Sequence, residues 1–316
     1  MSDIKHSVET SQPVRHHFDR LLITYILLTF GILFAGSYYG VLYLLTAMLH
    51  VLMIFLILRL SNLPIVKPFY FWLRRLYPLL FLLPLYYEIE LLASLFHSGA
   101  FFDPFISAIE KELFSVPPHK LLADILPGPV WREFFHLTYL INFPVLIGGI
   151  ILAGRQEGES TGWAPVVPYP RYAFVMLGCF FSFLVIQFLF PVEGPLDDRY
   201  LRFEGQGILG PVIDFFSRIG PGRGGALPSS PVGLMVVTYL LWRPKRPAIR
   251  YGLMALILAG SISAVYGAFH YALDVVAGLI AGVLFYLLWE WLYRRLKLEP
   301  ESAFNDDKLP HGRPVK

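Results

Sequence analysis

The chain is 316 residues long, 56% hydrophobic, 16% aromatic and only 16% charged, with a mean hydropathy of +0.57 and a net charge of +3. That balance excludes an ordinary water-soluble domain and describes an all-α, polytopic membrane protein. The small charge is spread over many loops without a clustered basic face, which excludes nucleic acid as a partner. Cys179 is the only cysteine and lies in an apolar run, so an intramolecular disulfide, a thiolate zinc site and an iron–sulfur cluster are excluded as well.

Residues 1–20 lack the short apolar core of a cleaved secretion signal, so they are expected to stay as a cytoplasmic N-terminal tail. Runs near the ~20 residues that cross a bilayer fall at about 21–38, 41–59, 76–96, 134–153, 172–190, 231–243, 249–266 and 270–292, which predicts about eight transmembrane helices. The sixth is short and is expected to begin in the preceding loop. Residues 21–62 then supply two additional helices, 70–297 a core of six, and 298–316 a cytoplasmic C-terminal tail.

The long connections 97–133 and 192–230 should fall on one side. In the first, Phe101, Phe102, Ile106, Ile109, Leu113, Leu121, Leu122 and Trp131 among charges and prolines predict an amphipathic interfacial or re-entrant element. It reads equally as a guide for lipid head groups and as a covering loop. Glu88 and Glu90, near the outer end of the third span, read either as acid–base or head-group contacts or as side chains snorkelling to the interface.

Excess Lys and Arg in short loops marks the cytoplasm. With eight spans, Arg59, Lys67, Arg74, Arg75, Arg155, Arg171, Arg243, Lys245, Arg246, Arg250, Arg294, Arg295 and Lys297 share one face with the basic residues of the N-terminal tail. The other face receives Lys111, Lys120, Arg132, Arg199, Arg202, Arg218 and Arg223 over much longer loops. The first face is therefore taken as cytoplasmic, and His270 opens on the outer one.

Two segments carry chemistry. In Ser263-Ala-Val-Tyr-Gly-Ala-Phe-His270-Tyr-Ala-Leu-Asp274-Val-Val-Ala-Gly278 a histidine and an aspartate stand four residues apart, a spacing that shares a helix face. Such a pair in a membrane segment is a functional-site hypothesis by default. The second is Gly220-Pro-Gly-Arg223-Gly-Gly-Ala-Leu-Pro228-Ser229-Ser230-Pro231-Val-Gly233. Ser230 followed by Pro231 is an ordinary helix start. An arginine, glycines and serines before a helix N-terminus also make an anion cradle.

On these residues the chain resembles the type 2 phosphatidic acid phosphatase superfamily of integral membrane phosphatases and phosphotransferases, nearest its inositol phosphorylceramide synthase-like branch. The resemblance covers roughly residues 70–297. It implies a six-helix core, a metal-independent and cofactor-free reaction on a lipid phosphate or phosphodiester at the outer leaflet, His270 as the nucleophile that becomes phosphorylated, and Asp274 as its orienter. Arg199, Arg202, Arg223, Ser229 and Ser230 are the phosphate-binding candidates by position and chemistry.

Two departures accompany the likeness. Ala264 stands where the family has an arginine, and Pro231 stands where it has its general-acid histidine. Proline donates neither a side-chain proton nor an amide. His97, His136 and Glu193 are the candidates for a substitute acid. The alternative reading is a non-catalytic relative that binds or transports phospholipid.

Overall fold

The computed structural model describes residues 17–63, 68–155, 167–203, 205–219, 223–244 and 246–298. The expected tails lie almost wholly outside these residues, as do Lys67 and Lys245. Every regular element among the described residues is helical. α1 (His17–Gly36) and α2 (Val41–Leu60) form a hairpin through a single 3₁₀ turn at Ser37–Tyr39. α3 (Pro68–His97), α6 (Pro129–Arg155), α7 (Tyr169–Leu189), α10 (Ser230–Trp242), α11 (Pro247–Tyr266) and α12 (Ala272–Arg295) follow, with α4 (Asp103–Phe114) and α5 (Pro118–Ile125) in the first long connection and α8 (Leu196–Phe203) and α9 (Gly210–Ile219) in the second.

Seven helices, α1, α2, α3, α6, α7, α11 and α12, are long and apolar enough to cross a bilayer. The sixth expected span differs: α10 has 13 residues, about 20 Å at the usual rise against a hydrocarbon core of ~30 Å. It does not extend back through the preceding loop. Pro231 in its first turn suits a helix start, and residues before Ser230 are held in a non-helical path by tertiary hydrogen bonds.

α7 is the central helix. Its most apolar stretch is 72% buried, and α1, α3, α6, α10 and α12 pack on it. Gly178 admits the Trp289 ring to 2.1 Å from where a Cβ would stand, and Trp289 Nε1 donates to Ser182 Oγ at 2.9 Å. α10 and α12 approach as closely: a Cβ on Gly282 would lie 2.6 Å from the Gly233 carbonyl oxygen, and one on Gly278 2.5 Å from that of Ser229. Backbone proximity at small residues is the packing mode available where lipid removes the hydrophobic drive between helices.

The α1–α2 hairpin docks on α3 and α7 through a buried polar cluster. His50 Nδ1 donates to the Thr46 carbonyl at 2.9 Å, and its Nε2 lies 2.8 Å from Glu88 Oε2 and 2.9 Å from Thr29 Oγ1. His50 and Glu88, both 1% exposed, form a close buried pair. Glu88 thus faces the bundle interior, whereas Glu90 accepts the Arg223 amide at 3.1 Å. Removing one partner of a buried pair leaves the other uncompensated, at a cost of about 3–5 kcal/mol. Glu88→Ala is expected at the low end of that range, since His50 keeps its contact with Thr29. Glu88→Gln should cost less than half as much, and equal unfolding free energies for both variants in detergent would contradict the pairing.

The two long connections pack against each other at one end of the bundle. His119 meets Asp198 at 2.9 Å, Arg202 meets Asp124 at 3.1 Å, and Asp103 accepts the Glu193 and Gly194 amides at 2.9 and 3.0 Å. Arg59, Arg74, Arg75, Arg171, Arg243, Arg250, Arg294 and Arg295 sit on helix ends of the opposite side.

Candidate active site

The site forms where the segment before α10 crosses the head of α12. Val192, just past α7, makes a parallel bridge to Gly225: its amide donates to the Gly224 carbonyl at 3.2 Å and its carbonyl accepts the Ala226 amide at 2.8 Å. From inside α7, Gln187 Nε2 donates to the carbonyls of Gly225 at 2.9 Å and Pro228 at 3.0 Å. From α3, the Tyr86 hydroxyl lies 3.2 Å from the Gly225 carbonyl and 3.1 Å from Ser230 Oγ. These contacts fix 224–230 in place, largely buried.

That segment then receives the second motif. The Ser229 amide donates to the Asp274 carbonyl at 2.9 Å, so the two stretches picked out by sequence meet directly. After α11 the chain turns tightly, with the Phe269 and His270 amides both on the Ala264 carbonyl at 3.1 Å. Ala264 sits in an apolar cluster with Val232, Val265 and Val275, surroundings that suit the small side chain found there. Gly194 permits this turn to approach: its φ is +85°, and a Cβ would stand 2.5 Å from the Phe269 carbonyl oxygen.

His270 is 5% exposed. Its Nδ1 lies 3.1 Å from the Ala226 carbonyl oxygen and 3.8 Å from Asp274 Oδ2. A carbonyl only accepts, so Nδ1 carries a proton, while Nε2 has no hydrogen-bond partner among the described residues. The orienting hydrogen bond expected from Asp274 is thus made by a backbone carbonyl. Asp274 stays within Coulombic reach, and its Oδ2 accepts the Tyr271 amide at 2.9 Å. Its Oδ1 is buried without a partner, as is Ser229 Oγ.

The three candidate phosphate-binding arginines are not convergent. Arg199, 1% exposed, bonds Asp214 at 2.7 Å and the Gly267 carbonyl at 3.2 Å. Its guanidinium lies 4.1 Å over the Phe269 ring, whose other face stacks on Tyr139 at 4.0 Å. Arg199 therefore supports the turn before His270. Arg202 pairs with Asp124, and Arg223 pairs through both nitrogens with Glu193 while covering the Phe101 ring. Of the substitute acids, Glu193 is committed to Arg223. His97 leans edge-on against Phe102, and His136 is fully buried beside Phe203 with neither ring nitrogen partnered.

Carboxylates occupy much of the space an anion would seek. α4 presents Asp103, Ile106 and Glu110 at i, i+3 and i+7, one helical face. Ile106 packs with Val192, Ala226 and Tyr271. Glu110 Oε1 accepts the Leu273 amide at 3.1 Å, in the first turn of α12. Burial pushes both carboxyls above their ordinary values, against the backbone amides that favour the charged forms. On α5, burial pushes His119 down, and Asp198 only partly offsets it.

The two short helices should respond to pH with opposite signs. Raised carboxyls bind protons more tightly when α4 is docked, so its docking strengthens as pH falls toward their raised values and weakens above them. A lowered histidine binds them less tightly, so the α5 contact is lost as pH falls below the usual 6.5. Between pH 7.5 and 5, amide exchange corrected for intrinsic rate should speed up in 118–125 relative to 103–114. The reverse order would contradict these shifts.

Sequence reasoning missed Ala226, Val192, Tyr86 and Gln187 as the scaffold of His270. It read α4 as a surface element and passed over its carboxylates. Only Gln187 had a signal of its own, a lone amide in the apolar run 172–190. No protein-family model, curated protein or solved structure matches the chain.

Proposed function

We propose that the chain is a metal-independent lipid phosphatase or phosphotransferase of eight spans, with α3, α6, α7, α10, α11 and α12 as a phosphatase-like core and the His270 end facing outward. The Lys/Arg asymmetry supports the orientation. The observation that carries the reading is the docked pair of segments 224–230 and 270–274, which holds His270 Nδ1–H on a carbonyl and leaves Nε2 without a partner among the described residues, the arrangement a nucleophilic imidazole requires.

In the reaction, Nε2 attacks phosphorus, the bond to the leaving oxygen breaks, and a phosphohistidine forms. Asp274, 3.8 Å away, offsets the positive charge that the imidazole acquires. Water or a second lipid hydroxyl then takes the phosphoryl group and regenerates His270. The resemblance leaves hydrolysis and transfer equally open. Purified protein in nanodiscs should release phosphate from a lipid phosphomonoester, or pass it to an added alcohol, at a rate unaffected by chelators.

A second reading, a non-catalytic protein that binds or moves phospholipid, is favoured by Pro231 and by the carboxylates of Asp103 and Glu110 on backbone amides near His270. It predicts lipid binding without phosphate release.

A further inference from the structure

A second basic site lies at the same end of the bundle, away from His270. A cavity of about 210 Å³ opens among α5, α6, α8 and the end of α11, lined by Arg132, Arg202, Gln206, Phe203, Tyr266 and Gly128 among others, with no acidic side chain among the described residues of its lining. Arg132 Nη1 donates to Gln206 Oε1 at 2.7 Å, and its Nε is buried without a hydrogen-bond partner. Glu133 lies 3.9 Å from that nitrogen. Its two oxygens are committed to the Ile208 and Leu209 amides at 2.9 and 3.0 Å.

Among the described residues Arg202 pairs with Asp124 alone, which is 66% exposed, through Nη1. Such a solvent-screened pair is worth about 0–1 kcal/mol and yields readily to a better anion. Each guanidinium therefore retains most of its five donors. The cavity also borders the N-terminus of α6, whose dipole favours negative charge.

The surroundings name the source of the anion. Val130, Trp131 and Phe134, on the same first turns of α6 as Arg132, are 76%, 41% and 47% exposed. Aromatic and apolar side chains beside arginine at the end of a spanning helix are the composition of a bilayer interface. We propose that this cavity binds the head group of a phospholipid of net negative charge, whose phosphate monoanion has no compensating ammonium, with the acyl chains lying along α6. The site stands whether or not His270 is a nucleophile.

The test is thermal unfolding in a neutral detergent with added phosphatidylglycerol, phosphatidylcholine or inorganic phosphate, on wild type, R132Q/R202Q and R132K/R202K. Phosphatidylglycerol should stabilise the wild type more than phosphatidylcholine does. Charge-assisted hydrogen bonds imply roughly a tenfold loss of apparent affinity per guanidinium, so R132Q/R202Q should need about 100-fold more lipid. R132K/R202K, which keeps the charges but not the forks, should fall between, and serves if the glutamine variant does not fold. An equal response of wild type and R132Q/R202Q to phosphatidylglycerol, or no preference for it over phosphatidylcholine, would overturn the site. A response to inorganic phosphate that matches the lipid would overturn the head-group assignment.

Discussion

His270→Asn is expected to lower turnover of a lipid phosphate by about 10⁴-fold or more, the scale on which removing a nucleophile from a working unit acts. Asparagine is the informative choice because its amide can donate near the place of Nδ1 and keep the Ala226 carbonyl satisfied, whereas nothing replaces Nε2. The buried carbonyl is not orphaned, so folding should change little. A melting curve separates the two effects. Wild-type turnover in a folded His270→Asn protein would remove His270 from the chemistry and place the nucleophile elsewhere, whereas no turnover in either protein would leave the lipid-binding reading.

Pro231→His is expected to change activity in the opposite direction. Pro231 is half-buried beside Ser229 and Ser230, in the first turn of α10, and a histidine there would add a proton donor and an amide facing the same region as His270. General acid catalysis contributes about 10²–10⁴-fold. Hydrolysis of phosphomonoesters with poor leaving groups should rise by up to that factor, while substrates whose leaving group departs without a proton should gain little. The ratio between the two classes reports on the acid itself. Loss of the proline is expected to cost some stability at the helix start. If both classes stay unchanged in a folded variant, the missing acid is not what limits the protein.

Apolar length made most of the fold legible. Seven of the runs read as spans are long helices, and the eighth, α10, is cut short because the chain before Ser230 is bound by Gln187 and Tyr86 from other helices and by Val192 just past α7. α3 begins at Pro68, eight residues before the expected start, since Arg74 and Arg75 masked a helical turn rich in Phe and Trp. α8 and α9 were hidden among the charges of 192–230.

At the site, the i,i+4 spacing of His270 and Asp274 and the serines before α10 were visible, and they do meet. The tautomer's anchor was not visible, because a backbone carbonyl carries no residue-type signal. Arg199, Arg202 and Arg223 looked available in sequence. Each found a carboxylate from a distant element, Asp214, Asp124 or Glu193, whose proximity only tertiary structure creates. Asp103 and Glu110 went unremarked in the segment read as an interfacial or re-entrant element, and their face of α4 turns toward α12 and the residues after α7 rather than toward water.

The most direct measurement is to trap the covalent intermediate on the unaltered protein. Purified wild type is mixed with a lipid phosphate radiolabelled on phosphorus, quenched in alkali and digested, and the labelled peptide is identified. A phosphohistidine mechanism predicts label that survives alkali, is released by acid and maps to His270. Phosphate release without any such label, or label on another residue, would contradict the assignment of His270 as the nucleophile.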